Sequence, residues 1–218
     1  MLYFQNCKSK AQDGRPIDFQ EVIERITSAD LWPSIDKADD KTSFVPVIQP
    51  SGSKTSGWEG STDLIAVDID GGLDMDTAKE RLTEQNLQHH GYTTASHTED
   101  NHRYRVVLPL SEPVEDSQTY LATMSYLNDT VFSGAIDPAY LTNPNQGSLL
   151  PCVVNETEPT VFKGSGVPVI PVAPTSAPET TSLVDLVDLD GTTLPENDLR
   201  SYLNHCTVDG GDYDSWIK

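Results

Sequence analysis

The chain has 218 residues, 36% of them hydrophobic, and a formal net charge of −20 from 34 acidic against 14 basic side chains. That apolar content is enough for a core, yet no apolar run reaches membrane-spanning length and no signal-peptide pattern is present, so the chain reads as soluble and cytoplasmic with no membrane contact. The scattered Cys7, Cys152 and Cys206 exclude a disulfide framework and give no reason to expect zinc.

The opening Met1-Leu2-Tyr3-Phe4-Gln5-Asn6 resembles the remnant of an engineered protease-cleavage tag, and fold reasoning starts after it. Asp18 and Glu21 form a capping-box pair, with Ile17 and Val22 spaced as a hydrophobic staple. Phe19, Val22, Ile23 and Ile26 continue the pattern as the apolar stripe of a first helix. An edge strand is expected over 44–48, demoted from a central position by Pro46. A Ser/Gly-rich loop follows over 50–60, carrying Lys54 and Trp58. Within it, Ser51-Gly52-Ser53-Lys54-Thr55 lacks the Gly-Lys pair and the leading glycine of a phosphate-binding P-loop.

Next comes Leu64-Ile65-Ala66-Val67-Asp68-Ile69-Asp70-Gly71-Gly72, an apolar strand that delivers two aspartates onto a turn. A helix is predicted over 76–87. Strands over 92–97 and 103–109, joined by the polar loop 98–102, read as a hairpin. Another helix begins near Glu115, with Leu121, Met124, Leu127 and Val131 on one face. Short strands are expected over 148–154 and 160–162. The Pro/Val/Ser/Thr-rich stretch 164–177 has no amphipathic period and is a linker or a surface-draped arm. A last short helix is predicted from Pro195 to near His205. The alternation of strands and helices predicts an α+β (α/β layered) domain ending near residue 165.

Three places carry chemistry. Side chains alternate along a strand, so Asp68 and Asp70 share a face, about 7 Å apart along the backbone. Like charges that close repel unless a cation lies between them, and Mg²⁺ or Mn²⁺ with oxygen ligands fills that role in phosphoryl and nucleotidyl transfer. An acidic strand end is the plainer alternative. Ala95-Ser96-His97 closes one arm of the hairpin and Arg103 and Arg105 open the other, a cationic cluster suited to a triphosphate. Asp137, in Ile136-Asp137-Pro138-Ala139-Tyr140, precedes an expected non-helical turn.

In order, these motifs are Asp-x-Asp, small-x-His, basic strand, long helix, apolar-Asp, and then Gln146 before Leu149-Leu150-Pro151. That order resembles the archaeo-eukaryotic primase superfamily, in particular the primase-polymerases of phages and plasmids, over residues 37–152. The resemblance implies that Asp68, Asp70 and Asp137 are catalytic and bind two Mg²⁺ or Mn²⁺ ions. It also implies that His97 and Ser96, with Arg103, Arg105 and Gln146, lie at the incoming nucleotide. The implied fold is a recognition-motif-like antiparallel sheet module with a flanking αβ unit. The implied partners are nucleoside triphosphates, a single-stranded DNA template and its primer.

Further on, Leu199-Arg200-Ser201-Tyr202-Leu203 and Asp212-Tyr213-Asp214-Ser215-Trp216-Ile217 resemble the start of the helical domain that follows the catalytic core in such primases. The expected organisation is a tag remnant over 1–6, the catalytic domain over 7–165, a linker or arm over 166–194, and a truncated helical domain over 195–218. A helicase domain or partner would then belong to the full-length protein.

The acidity works against nucleic-acid binding, which rests on Lys and Arg neutralising phosphates. Part of it is local, since the acids from Glu179 to Asp214 are matched only by Arg200 and, at the end, Lys218. Lys41, Lys54, Lys79 and Arg81 are the cations at hand for a template groove, and Trp58 is either a base-stacking or a packing residue.

Two other functions compete. Asp-x-Asp-Gly after an apolar strand also fits a haloacid-dehalogenase-type phosphohydrolase, in which one aspartate is nucleophile and the other general acid. Thr93 and Thr94 match its threonine motif, but the acidic pair Asp39-Asp40 lies upstream and lysines are scarce downstream. The other is a non-enzymatic acidic protein that mimics nucleic acid or docks a basic partner.

Overall fold

The computed structural model describes residues 1–4, 14–35, 43–45, 58 and 60–174. In chain order the elements are β1 (Leu2–Phe4), β2 (Arg15–Pro16), α1 (Phe19–Thr27), a 3-10 turn at Ala29–Leu31, β3 (Ser34–Ile35), β4 (Ser43–Val45), β5 (Thr62–Ile69), α2 (Met75–Glu84), β6 (His89–Thr93), β7 (Tyr104–Val114), α3 (Ser117–Thr130), α4 (Pro138–Thr142), β8 (Ser148–Leu149), β9 (Val153–Val154) and β10 (Val161–Gly164). The fold is mixed helix and sheet, α+β, and its centre is a four-stranded antiparallel sheet in the order β10-β6-β7-β5.

Both faces of that sheet are covered. Ile65, Val67 and Ile69 of β5, with Tyr104, Val106 and Leu108 of β7, pack against Ala78 and Leu82 of α2 and Met124 and Leu127 of α3. On the opposite face Leu64, Ala66, Tyr92 and Val107 meet Val22 and Ile26 of α1, Tyr3 of β1 and Leu150. Burial on two sides explains why residues 64–67 read as an unbroken apolar run instead of an alternating one. β1, β2, β4 and β8 form a second four-stranded sheet, and β3 pairs with β9.

The helix signals hold at their starts. Asp18 accepts the Glu21 amide at 2.8 Å, but the Glu21 carboxylate turns to Arg15 and Arg25, so only half of the capping box forms. Asp74 caps α2 through the Asp76 and Thr77 amides, and Asp116 caps α3 through that of Thr119. α2 stops at Glu84, short of the expected end, because Asn86 turns to φ 54° and its carbonyl binds the Val167 amide.

Several expectations need correction. Residues 2–4 were expected to lie outside the fold, yet β1 pairs with both β2 and β4 and Tyr3 is buried. The first hairpin strand begins at His89 and ends at Thr93, while its partner runs on to Val114. Gly91 lets β10 lie close against β6, since a Cβ there would be 2.1 Å from the Phe162 ring. The turn after Asp137 is helical: Asp137 caps α4 and Pro138 takes its first position, where the missing amide hydrogen costs nothing. The strand expected over 148–154 is broken at Leu150-Pro151-Cys152 into β8 and β9.

The stretch after 164 is a draped arm through its described part, and the packed structure continues past residue 165. Val167 and Val169 exchange backbone hydrogen bonds with residues 86–88 and 109–111, and Val169 is buried in the core. The expected features at 46–57 and at 195–218 lie outside the described residues. No helix among the described residues is long and apolar enough to cross a membrane.

Candidate active site

Asp68 lies near the end of β5, Asp70 just beyond it, and the chain turns at Gly71 and Gly72, which take φ of 116° and 78°. Antiparallel register sets Asp68 opposite Arg105 of β7, and Arg105 opposite Tyr92 of β6, on the sheet face away from α2 and α3. Arg105 Nη2 donates to Asp68 Oδ2 at 2.8 Å, and both side chains are nearly buried. One step along, Arg103 Nε lies 3.9 Å from Asp70 Oδ1, with both groups partly exposed. The Asp-x-Asp of one strand therefore faces the Arg-x-Arg of its neighbour.

Asp137 comes to the same place through its backbone. Its amide donates to the Asp68 carbonyl at 2.9 Å, and Ile136 bridges to Ile69. Its Oδ1 accepts the Ala139 amide at 2.8 Å, so one carboxylate oxygen already caps α4. Tyr140, one turn into that helix, donates to the Gly147 carbonyl at 3.1 Å, and its oxygen lies near enough to Arg105 to favour the charge on the guanidinium.

Burial raises the Asp68 carboxyl above the usual aspartate range, and the nearby Asp70 and Asp137 add to that; Arg105 opposes it incompletely. Burial also works against the Arg105 charge, but the oxygens of Tyr140 and Asp68 outweigh it, leaving the guanidinium firmly protonated.

His97 does not end a strand. It lies past Thr93 in the turn, where its amide donates to the Thr94 carbonyl at 3.0 Å and its Nδ1 accepts the Arg103 amide at 3.1 Å. Nδ1 is thus an acceptor, which leaves the proton of the neutral ring on Nε2.

A cleft of about 150 Å³ opens beside these groups, lined among others by Asp70, Ser96, Arg103 and Arg105. It shares Thr93, Thr94, Ala95 and Cys152 with an adjoining cleft of about 280 Å³ that has His97 in its wall. Asp68, 5% exposed, does not line either cleft.

The sequence-predicted residues therefore divide. Asp68, Asp70, Arg103, Arg105 and the Asp137 backbone converge, and Ser96 and His97 border the same clefts. Gln146 lines neither cleft, and its side chain accepts from Asn143 Nδ2 at 3.2 Å. Both arginines face carboxylates as well as the cleft, so the cationic cluster expected around His97 is partly neutralised from within.

The template-groove cations are also redistributed. Lys79 and Arg81 belong to α2, on the opposite sheet face, where Lys79 pairs with Asp76 and Arg81 binds Ser133 and the Val131 carbonyl. Lys41 and Lys54 lie outside the described residues. Trp58 is a packing residue: its ring lies 5.3 Å from that of Tyr120 and its Nε1 donates to the Glu115 carbonyl at 2.8 Å. Tyr92 and Tyr140 were missed. Tyr140 had a faint signal in its one-turn spacing from Asp137, whereas Tyr92 becomes a neighbour of Arg105 only through strand register.

The donor set suits a hard divalent ion, and one observation fits it: Asp68 Oδ1 is buried with no hydrogen-bond partner. Among the described residues no group of three or more His, Cys, Asp or Glu side chains is arranged to hold a metal. Mg²⁺ is commonly held by one or two carboxylates with substrate phosphates completing its shell, so an assembled protein cage is not required.

No family model matches this chain, and no curated protein or solved structure matches it.

Proposed function

We propose that the chain is a template-directed DNA primase-polymerase that transfers nucleotides from nucleoside triphosphates to a 3′-hydroxyl. The observation that supports this most is the 2.9 Å bond from the Asp137 amide to the Asp68 carbonyl, which draws an acid from beyond α3 to the Asp-x-Asp strand end. On this reading β10-β6-β7-β5, with α2 and α3 on one face, is the recognition-motif-like module of a primase fold. The sheet β1, β2, β4 and β8 with α1 is its flanking unit. Single-stranded DNA is the template, and the net charge of −20 points to a helicase domain or partner for much of the grip on it.

Asp68, Asp70 and Asp137 are the residues that hold one or two Mg²⁺ or Mn²⁺ ions. When bound, such ions offset phosphate charge and make the attacking hydroxyl easier to deprotonate. Arg103, partly exposed at the cleft, meets phosphate oxygens, and His97 Nε2–H donates to another. Asp70 is the accessible carboxylate, and Asp68 the buried one that anchors the strand end.

An acidic binding protein is the second reading, favoured by the pairing of both aspartates with arginines, which is also how a purely structural charge ladder is built. The phosphohydrolase alternative gains Thr93 and Thr94 in the cleft wall, but no lysine lines either cleft. Primer extension with each nucleotide supplied separately, alongside phosphate release from a small ester, distinguishes all three. Extension lost in Asp70→Ala supports the polymerase. Phosphate release without extension assigns a phosphohydrolase, and neither activity, with no Mn²⁺ or triphosphate bound, leaves the binding protein.

A further inference from the structure

We propose that Arg105 is the resident counter-ion of Asp68 and that it leaves Asp68 when a divalent ion binds. The inference deepens the polymerase reading and rests on it for the identity of the ion. Its grounds are geometric. Arg105 Nη2 occupies Asp68 Oδ2 at 2.8 Å, and Arg105 lines the cleft while Asp68 does not, so the guanidinium covers the carboxylate. A cation entering from the cleft meets a like charge before it reaches Asp68.

The hold on Arg105 is incomplete. Its guanidinium is bound by Asp68, yet Nε is buried without a hydrogen-bond partner. Asp68 Oδ1 is likewise unpaired. Two unsatisfied polar atoms in one buried pair are the mark of an arrangement that a ligand can improve. Once displaced, the side chain is already at the cleft beside Arg103 and can turn to phosphate oxygens. Ion and triphosphate would then assist each other through one arginine, and such coupling is reciprocal.

The test is titration of the protein with manganese chloride alone, followed by electron paramagnetic resonance, for wild type, Asp68→Asn, Arg105→Gln and Arg105→Met. Wild type is expected to bind Mn²⁺ and Asp68→Asn to lose most of that binding. Arg105→Gln, and Arg105→Met, which fills the buried space and carries the test if Arg105→Gln does not fold, are expected to bind roughly tenfold more tightly, the effect of removing one hydrogen bond to a charged group. If binding depends on Asp68 but both variants bind no tighter than wild type, this proposal fails and the polymerase reading stands. If wild type binds no Mn²⁺ without triphosphate, or Asp68→Asn binds it equally well, this proposal fails, and the primer-extension assay alone decides the polymerase reading.

Discussion

The amide of Asp137 donates to the carbonyl of Asp68 across a 2.9 Å gap, tying the loop after α3 to the end of β5. Because the contact is between backbones, it survives substitution of either side chain. Variants at these positions therefore test chemistry separately from convergence, and the two aspartates of β5 are expected to behave differently.

Asp70→Ala removes a half-exposed carboxylate whose nearest cation is 3.9 Å away, so stability should change by no more than about 0.5 kcal/mol while extension is lost. Asp68→Ala leaves Arg105 buried without its carboxylate and should cost about 3 kcal/mol, part of it recovered in Asp68→Ala/Arg105→Met. Urea denaturation of the three variants checks this; equal midpoints for the single variants would contradict the buried pair.

His97→Ala should raise the KM for the nucleoside triphosphate about tenfold with little change in template affinity. His97→Asn keeps an acceptor for the Arg103 amide and separates loss of turn structure from loss of the phosphate donor. Steady-state kinetics with a fixed primer-template gives the first quantity and fluorescence anisotropy the second. Equal losses in both would count against a phosphate role.

Gly91→Ala should destabilise the fold by about 2 kcal/mol, because its Cβ would meet the Phe162 ring at 2.1 Å. Phe162→Leu in the same chain should return part of that loss. A double-mutant cycle from thermal or urea unfolding measures the coupling, and additivity would mean that the ring does not lie over Gly91.

Two carboxylates should move stability in opposite directions with pH. Burial raises Asp68, so its favourable contribution is full below the unfolded value of about 3.9 and fades as pH rises through its folded pKa. Glu21, hydrogen-bonded to Arg15 and Arg25, is lowered to about 2, so its contribution is present above the unfolded value of about 4.3 and fades as pH falls toward 2. Melting curves of Asp68→Asn and Glu21→Gln against wild type between those limits should show differences of opposite slope. Solvent exposure keeps the Glu21 effect the smaller one.

What could be read from the residues alone was local. The helix start at Asp18 follows from its cap and apolar spacing, the one near Glu115 from apolar spacing alone, and the hairpin of β6 and β7 from two short strand-like runs around a polar loop. The Asp-x-Asp strand end was visible for the same reason. Tertiary structure decided the rest. Periodicity says that Arg103 and Arg105 share a face, but only the register of β7 on β5 determines that this face is the aspartates' own. The same sheet separates Lys79 and Arg81 from the cleft, and α4 brings Tyr140 to Arg105. Such pairings depend on which strands become neighbours and in what offset, and a one-residue slip would invert every face. That choice is made by burying apolar area over the whole sheet, so no short stretch of sequence contains it.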